Sequence, residues 1–449
     1  MPSISVTAIA PGVVFCPIRT DRFKTSSLSL QLALPLRRDP KRTSANALLP
    51  YLLHRSCAAY PTARALNSRL EELYGAHLSA QVTKVGETHW LSLAVTSIDD
   101  RFTLADQSAA NESVAVGCAS LLLEMLFHPV LERDGCFPAQ AVEQEKRLLL
   151  ELRESDFSDK RAYALHRMEE IMFAREAFGQ NRFGEAEAIA SLTPAEVTQV
   201  WRDLLREAKM QFLLVAAGTE EAAAVEAALR NLLAGKERAP AALGSEFISD
   251  AGEEKYVREE LPVEQGKLVL GFRTDMKDFR DRARAMWVMA DLFGGGPYAK
   301  LFANVREKMS LCYYCAARLT RYKGILTVQC GIETDKEAAA RNAILAQLEE
   351  IRQGGFTQEE LDTAVCSLCD SLCSLADTPG ELADWYAMSL LTGDYLPPEE
   401  VCAELRGVTK EDVVAAARGV KLDTVYMLAA KTERENGKNR EPEEGGESA

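Results

Sequence analysis

The sequence predicts an α+β fold built from two duplicated halves, each an antiparallel sheet flanked by helices, and three observations carry this. Within each half the helices cluster after a hairpin, whereas a doubly wound sheet would alternate strand and helix one for one. The order of elements in residues 256–431 repeats that in residues 1–234. Finally, Leu192-Thr193-Pro194-Ala195-Glu196-Val197, ahead of one strand, is echoed by Val408-Thr409-Lys410-Glu411-Asp412-Val413 ahead of the last.

With 449 residues, 47% of them hydrophobic, the chain is too long for one ordinary core and apolar enough for two or more. A net charge of −15 without any basic stripe excludes a nucleic-acid partner, because phosphate binding needs cations to displace counterions. Residues 1–20 lack a basic segment followed by an apolar run, and no stretch of about 18 apolar residues occurs. No membrane association is expected. Eleven scattered cysteines fit reduced thiols better than a disulfide framework, so a cytoplasmic setting is expected.

In the first half, residues 1–234, a strand is expected over 27–36. Helical periodicity follows at 43–57 and 62–73, split by Pro61 and ended by Gly75, which suits a left-handed cap. Strands 77–84 and 88–96 turn at Val85-Gly86-Glu87. Helices follow at 113–127, 138–154 and 158–173, and another begins at the capping box Thr193 to Glu196 with proline at its first position. Strand 211–217 and helix 220–233 close the half.

Residues 235–255, rich in alanine, proline, glycine and mixed charge, read as a linker. The second half, 256–431, starts with strand 267–273 and helices 280–292 and 299–308. A hairpin of 313–320 and 325–332 comes next, then helices at 336–352, from the capping box at Thr357 to 375, and at 380–391. The helix starting at Thr409 leads to strand 424–430. Residues 432–449, polar, acidic and glycine-rich, are expected to be a disordered tail.

Catalytic patterns are scarce. With five histidines the chain contains neither H-E-x-x-H nor H-x-x-E-H. The nearest run, His166-Arg167-Met168-Glu169-Glu170, places Glu170 where a second histidine would be needed and is expected on the polar face of a helix. No G-x-S-x-G occurs, and Gly294-Gly295-Gly296 lacks nucleotide-loop spacing. Two cysteine groups have the spacing of metal ligands. Cys312 and Cys315 straddle a strand start, and Cys366, Cys369 and Cys373 fall on an apolar helix face with Leu361, Val365, Leu368 and Leu372. Both are read as small core thiols, because no second Cys-x-x-Cys or histidine pair accompanies them.

The most patterned stretch runs from Gly294 to Tyr313. Three glycines lead into Leu301, Phe302 and Val305 at helical spacing, with Arg306, Glu307 and Lys308 beside the opposite face and a β-type run from Tyr313. Taken alone this is a surface helix entering a strand. Together with the duplication, however, it resembles the pitrilysin, insulin-degrading enzyme and mitochondrial processing peptidase family. That family carries a glycine-rich turn, then Leu-Phe, Val-Arg-Glu and a small-Leu-small-Tyr run, matched here by Gly294 to Gly296, Leu301-Phe302, Val305-Arg306-Glu307 and Ser310-Leu311-Cys312-Tyr313. The resemblance covers nearly the whole chain and implies a clamshell of two similar halves.

It also implies that Arg306 and Tyr313 bind substrate and that an inverted zinc motif should precede the helix ending near Gly75. The corresponding positions fall at Leu49-Pro50-Tyr51-Leu52-Leu53, so leucines Leu49, Leu52 and Leu53 replace both histidines and the glutamate base. Glu151 resembles the family's third ligand, and one carboxylate cannot hold zinc alone. No cofactor is therefore expected in this chain, and autonomous proteolysis is not expected. The chain is similar to zinc-less subunits that supply Arg and Tyr to a zinc-bearing paralogue in a heterodimer. Ala47-Leu48-Leu49-Pro50 and Glu71-Glu72-Leu73-Tyr74-Gly75-Ala76 resemble the bacterial members associated with elongation factor P aminopentanol modification. The implied partners are a zinc-bearing subunit, or a second copy, and a peptide. Two other readings remain: a peptide-binding or structural scaffold without a role in cleavage, and a lone peptidase with rearranged ligands involving His54 or Glu151.

Overall fold

The computed structural model describes residues 3–103 and 113–431, so the expected acidic tail lies outside the described residues. Twelve strands form two sheets among these residues. The first sheet contains β1 (Ser3–Ile4), β2 (Thr7–Ala10), β3 (Val13–Arg19), β4 (Thr25–Pro35), β5 (His77–Val85), β6 (Thr88–Ile98) and β7 (Lys209–Ala216). The second contains β8 (Lys255–Leu261), β9 (Gly266–Arg273), β10 (Tyr314–Thr320), β11 (Ile325–Ile332) and β12 (Lys421–Ala430). Strand order is β1-β3-β7-β4-β6-β5 in the first, with β2 also paired to β3, and β8-β12-β9-β11-β10 in the second. In both, one pair is parallel, β3 with β7 and β8 with β12, and the other neighbours, including β1 and β2 on the far side of β3, are antiparallel. The repeat heard in the sequence is thus a repeat of topology.

Each sheet buries two faces. Phe15, Leu30, Leu32 and Phe212 of the first sheet pack on the half's own helices, including Pro40–Leu53 and Val114–Phe127. Leu268, Leu270, Phe272, Val328 and Met427 do the same in the second. The opposite faces are covered reciprocally. Helix Lys160–Met172 of the first half lays Ala164, Met168 and Met172 on Val269, Tyr426 and Leu428 of the second sheet. Helix Pro379–Ala387 of the second half lays Leu382, Ala383 and Tyr386 on Cys16, Ala33, Leu213 and Val215 of the first. Burying both faces of a sheet removes the polar-out alternation a half-exposed sheet would show.

Local rules account for most element ends. Thr193, Thr357 and Thr409 each close a capping box, with Glu196, Glu360 and Asp412 reaching back to the cap backbone. Gly75 takes φ +71° after helix Ala63–Glu72.

Several expectations are corrected. Strands β1 to β3 and β8 were not expected, nor helices Ala186–Ser191 and Pro398–Arg406. Pro11, Gly12 and Pro17 mask β3, while the charges of Lys255-Tyr256-Val257-Arg258-Glu259-Glu260-Leu261 mask β8. Tertiary pairing overrides both signals. The helix expected over 380–391 is divided into Pro379–Ala387 and Ser389–Thr392. The helix carrying His166 is no surface helix, because Ala164, Met168 and Met172 at four-residue spacing bury it between the halves. Cys366 and Cys373 are exposed, and only Cys369 of that trio joins the buried stripe.

Candidate functional site

Leu301–Lys308 is wound in the wider π form, marked by Met309 N–H donating to Asn304 O at 2.9 Å, five residues back. Its approach is fixed by close packing, since a Cβ on Gly294 would stand 2.5 Å from the Ala317 nitrogen of β10. Buried Lys300 anchors the segment, donating from Nζ to Gly355 O at 2.8 Å and lying 3.0 Å from both Glu350 and Glu360. Asn304 donates to Gln347 at 2.5 Å. Leu301 and Val305 face the core, which leaves Arg306 outward.

Arg306 is 40% exposed in its side chain, with its guanidinium 4.4 Å above the Phe302 ring and its Nε 3.4 Å from Glu307. Tyr313, just before β10, is 49% exposed, and its hydroxyl donates to Glu333 at 3.2 Å. β10 is the outer strand of its sheet. Both residues expected to bind substrate therefore stand at the surface by this strand, each with an acidic neighbour, Glu307 for Arg306 and Glu333 for Tyr313.

The positions expected to correspond to a zinc motif are apolar core. Leu49 and Leu53 are 0% exposed and Leu52 is 5% exposed, packed among leucines of the first core. Leucine offers no donor atom, so these residues do not fit a zinc ion. Glu151 is exposed. The buried carboxylate of helix Ala139–Ser158 is instead Glu145, ion-paired with Arg55, a pairing that spacing along the chain gave no reason to expect. His54 Nδ1 sits 2.7 Å from Tyr51 O. Among the described residues, no group of three His, Cys, Asp or Glu side chains close enough to hold a metal includes His54 or Glu151. The lone-peptidase reading therefore lacks a ligand set.

Two further features were missed. A cavity of about 710 Å³ lies between the halves, lined by Lys84, His166 and Arg182 from the first and by Trp287, Arg321 and Trp385 from the second. Neither Arg306 nor Tyr313 lines it. Beside it, burial lowers the His166 pKa although Glu169 opposes the shift. The other feature is a cluster of thiols, Cys312, Cys315 and Cys330, whose sulfurs all lie within 4.8 Å of one another. Hydrogen bonds from Cys315 and Cys330, helped by the charge of Arg306, draw Cys312 well below the usual thiol range. Cys330 could be added only once the register of β10 on β11 was known.

A duplicated α+β fold with core leucines at the positions where the resemblance would put a zinc motif defines a metallopeptidase homologue that offers no metal donors there. The family model described as Peptidase M16 inactive domain matches residues 191–368. The probable inactive metalloprotease YmfF of Bacillus subtilis is 30% identical over 411 residues, covering 92% of this chain and 94% of that relative. An uncharacterized zinc protease of Streptomyces coelicolor is 25% identical over 264 residues, 56% of either chain. The crystal structure of a conserved protein from Enterococcus faecalis superimposes with a TM-score of 0.84 at 27% identity, over 96% of this chain and 100% of that one. A peptidase M16 inactive domain from Pseudomonas fluorescens gives 0.77 at 20% identity, over 97% and 100%, and bears on the fold alone. The chain belongs to the M16, or pitrilysin, family of peptidases, as an inactive member. Among the described residues no helix is long and apolar enough to cross a membrane.

Proposed function

We propose that this chain is the non-catalytic, substrate-binding subunit of a heterodimeric zinc peptidase. The observation that carries the reading is the contrast between its two halves: Arg306 and Tyr313 present their donors at the surface beside an outer strand, while Leu49, Leu52 and Leu53 are sealed in apolar core. In the assembled pair Arg306 offers its planar fork of donors to a substrate carbonyl or carboxylate. Tyr313 donates its hydroxyl proton as a hydrogen bond to the scissile carbonyl while negative charge develops there. The partner, a zinc-bearing paralogue, would contribute the ligands and general base and hold the extended peptide along a sheet edge. A cytoplasmic setting fits an odd count of eleven scattered cysteines, and the pathway proposed is that of the members associated with elongation factor P modification.

The test reconstitutes the pair with Arg306→Ala or Tyr313→Phe. Retained association, read by gel filtration, with peptide turnover lowered at least about tenfold supports the assignment. Unchanged turnover in a fully associated pair overturns it.

A scaffold reading is favoured by one separate observation, the cavity between the halves with its cationic and aromatic lining. It predicts that Arg321→Ala weakens binding of an acidic peptide while Arg306→Ala leaves it unchanged.

A further inference from the structure

Hairpin β10–β11 brings three thiols to one point. Cys315 and Cys330 oppose each other directly across the ladder, where facing Cβ atoms stand about 4.5–5.5 Å apart. Cys312 precedes the strand, and its lead-in, outside the regular ladder, places its sulfur with the other two, all within 4.8 Å. Cys315 and Cys330 are buried and Cys312 is half-buried, so the cluster is open to solvent on the Cys312 side. All three are free thiols.

From this geometry we propose that Cys312, Cys315 and Cys330 form a three-thiolate site for a thiophilic d10 cation, zinc or monovalent copper, with a remaining coordination position open beside Cys312. Zinc–sulfur bonds of about 2.3 Å place sulfurs about 3.8 Å apart in a tetrahedral site, so closure on the ion needs an inward shift of only about 1 Å. Three sulfur donors without a carboxylate or imidazole select soft ions over calcium or magnesium. Binding releases the thiol protons to solvent and changes no oxidation state. Three thiolates around a divalent ion carry a net charge of −1, and Arg306, whose charge acts on Cys312, offsets it. Cys312 is the neighbour of Tyr313, so an ion here fixes the backbone that leads from Arg306 to Tyr313. The site stands independently of the role proposed for that pair.

The experiment titrates the full chain, purified reduced and stripped with chelator, with cobalt(II) as a spectroscopic stand-in for zinc. One equivalent is expected to give the sulfur-to-cobalt charge-transfer band and the visible bands of tetrahedral cobalt, both abolished by zinc or by monovalent copper. Whichever ion displaces cobalt at the lower concentration identifies the preferred cation. Cys312→Ser and Cys330→Ser are each expected to weaken binding at least tenfold, whereas Cys366→Ser/Cys373→Ser keeps the bands. Bound zinc is expected to shield Cys312, Cys315 and Cys330 from alkylation, mapped by mass spectrometry. Because Cys312 is half-buried, its serine variant stays folded even where Cys330→Ser does not. No charge-transfer band in folded wild-type chain with its thiols titrating free, an unaltered band in Cys312→Ser, or a disulfide among the three in protein from reduced extract would each overturn the proposal.

Discussion

Lys323 and Glu87 meet between the two halves, Nζ to Oε1 at 2.7 Å, each from the turn of its own half's hairpin. Lys323 is 0% exposed at its side chain. Its ammonium also lies 2.7 Å from Glu176 and donates to Glu246 O at 2.8 Å. Glu176 continues the network to Arg273 at 2.7 Å, and Arg273 to Asp423 at 2.7 Å. The two hairpins, equivalent by the duplication, are thus tied through buried charge.

Lys323→Met is the direct test of that tie. The methionine fills the space but leaves partly buried Glu87 without its cation and Glu176 with Arg273 alone, and breaking a buried pair on one side costs about 3–5 kcal/mol. Urea unfolding of the variant is expected to fall short of wild type by that amount. A difference under about 1 kcal/mol would mean that water already screens the pair.

Gly86, beside Glu87, makes a second prediction. It takes φ +54°, and an added Cβ would stand 2.4 Å from the Tyr322 carbonyl oxygen of the opposing turn. Both the dihedral and backbone that cannot swing aside oppose a side chain. Gly86→Ala is expected to destabilise by about 1–3 kcal/mol, whereas Gly75→Ala, where a Cβ would meet nothing within 4 Å, bears only the dihedral penalty. Equal losses in the two variants would show that contact between the turns contributes nothing.

His89 on β6 makes stability depend on pH. Its Nε2–H donates to Arg182 O at 2.9 Å while Nδ1 is buried without a partner, so the ring is held neutral. Burial pushes its pKa down to about 4 against the weaker opposing effect of that hydrogen bond. An unfolded imidazole titrates near about 6.5, so between these values the unfolded chain binds a proton that the folded chain refuses. The neutral ring's stability is complete above about pH 6.5 and is lost progressively as pH falls toward 4, by up to about 3 kcal/mol. His89→Gln keeps a donor for Arg182 and does not titrate. Its unfolding free energy is expected to fall less than wild type's from pH 7 to pH 4.5, and identical slopes would refute the assignment.

Sequence made the hairpins, the capping boxes at Thr193 and Thr357 and the duplication legible because each rests on local chemistry: alternation, an oxygen placed to accept an N–H, a glycine free to take positive φ. The leucines at 49, 52 and 53 could be read equally well, since absence of a donor needs no structure. What escaped was everything decided by register or by packing between the halves. β8 pairs only because β12 lies beside it and because Tyr163, Arg167 and Tyr426 satisfy Glu259. Cys330 is fifteen positions from Cys315, and only the ladder shows that they face each other. The π winding of Leu301–Lys308 leaves no mark on a pattern of apolar spacing, although that spacing did set Arg306 outward.

That outward placement sets the last prediction, which concerns the chain by itself. Arg306 touches Phe302 and Glu307, both on its own helical segment, and Tyr313 donates to Glu333 at the surface. Exposed contacts of this kind contribute little, and substitutions away from buried features usually stay within about 0.5 kcal/mol. Arg306→Ala and Tyr313→Phe are therefore expected to unfold in urea within about 0.5 kcal/mol of wild type. Any loss of turnover they cause in a reconstituted pair then reports substrate handling and not folding. If either variant lost more than about 2 kcal/mol, its side chain would be structural and the case for a substrate-binding pair would lose its main support.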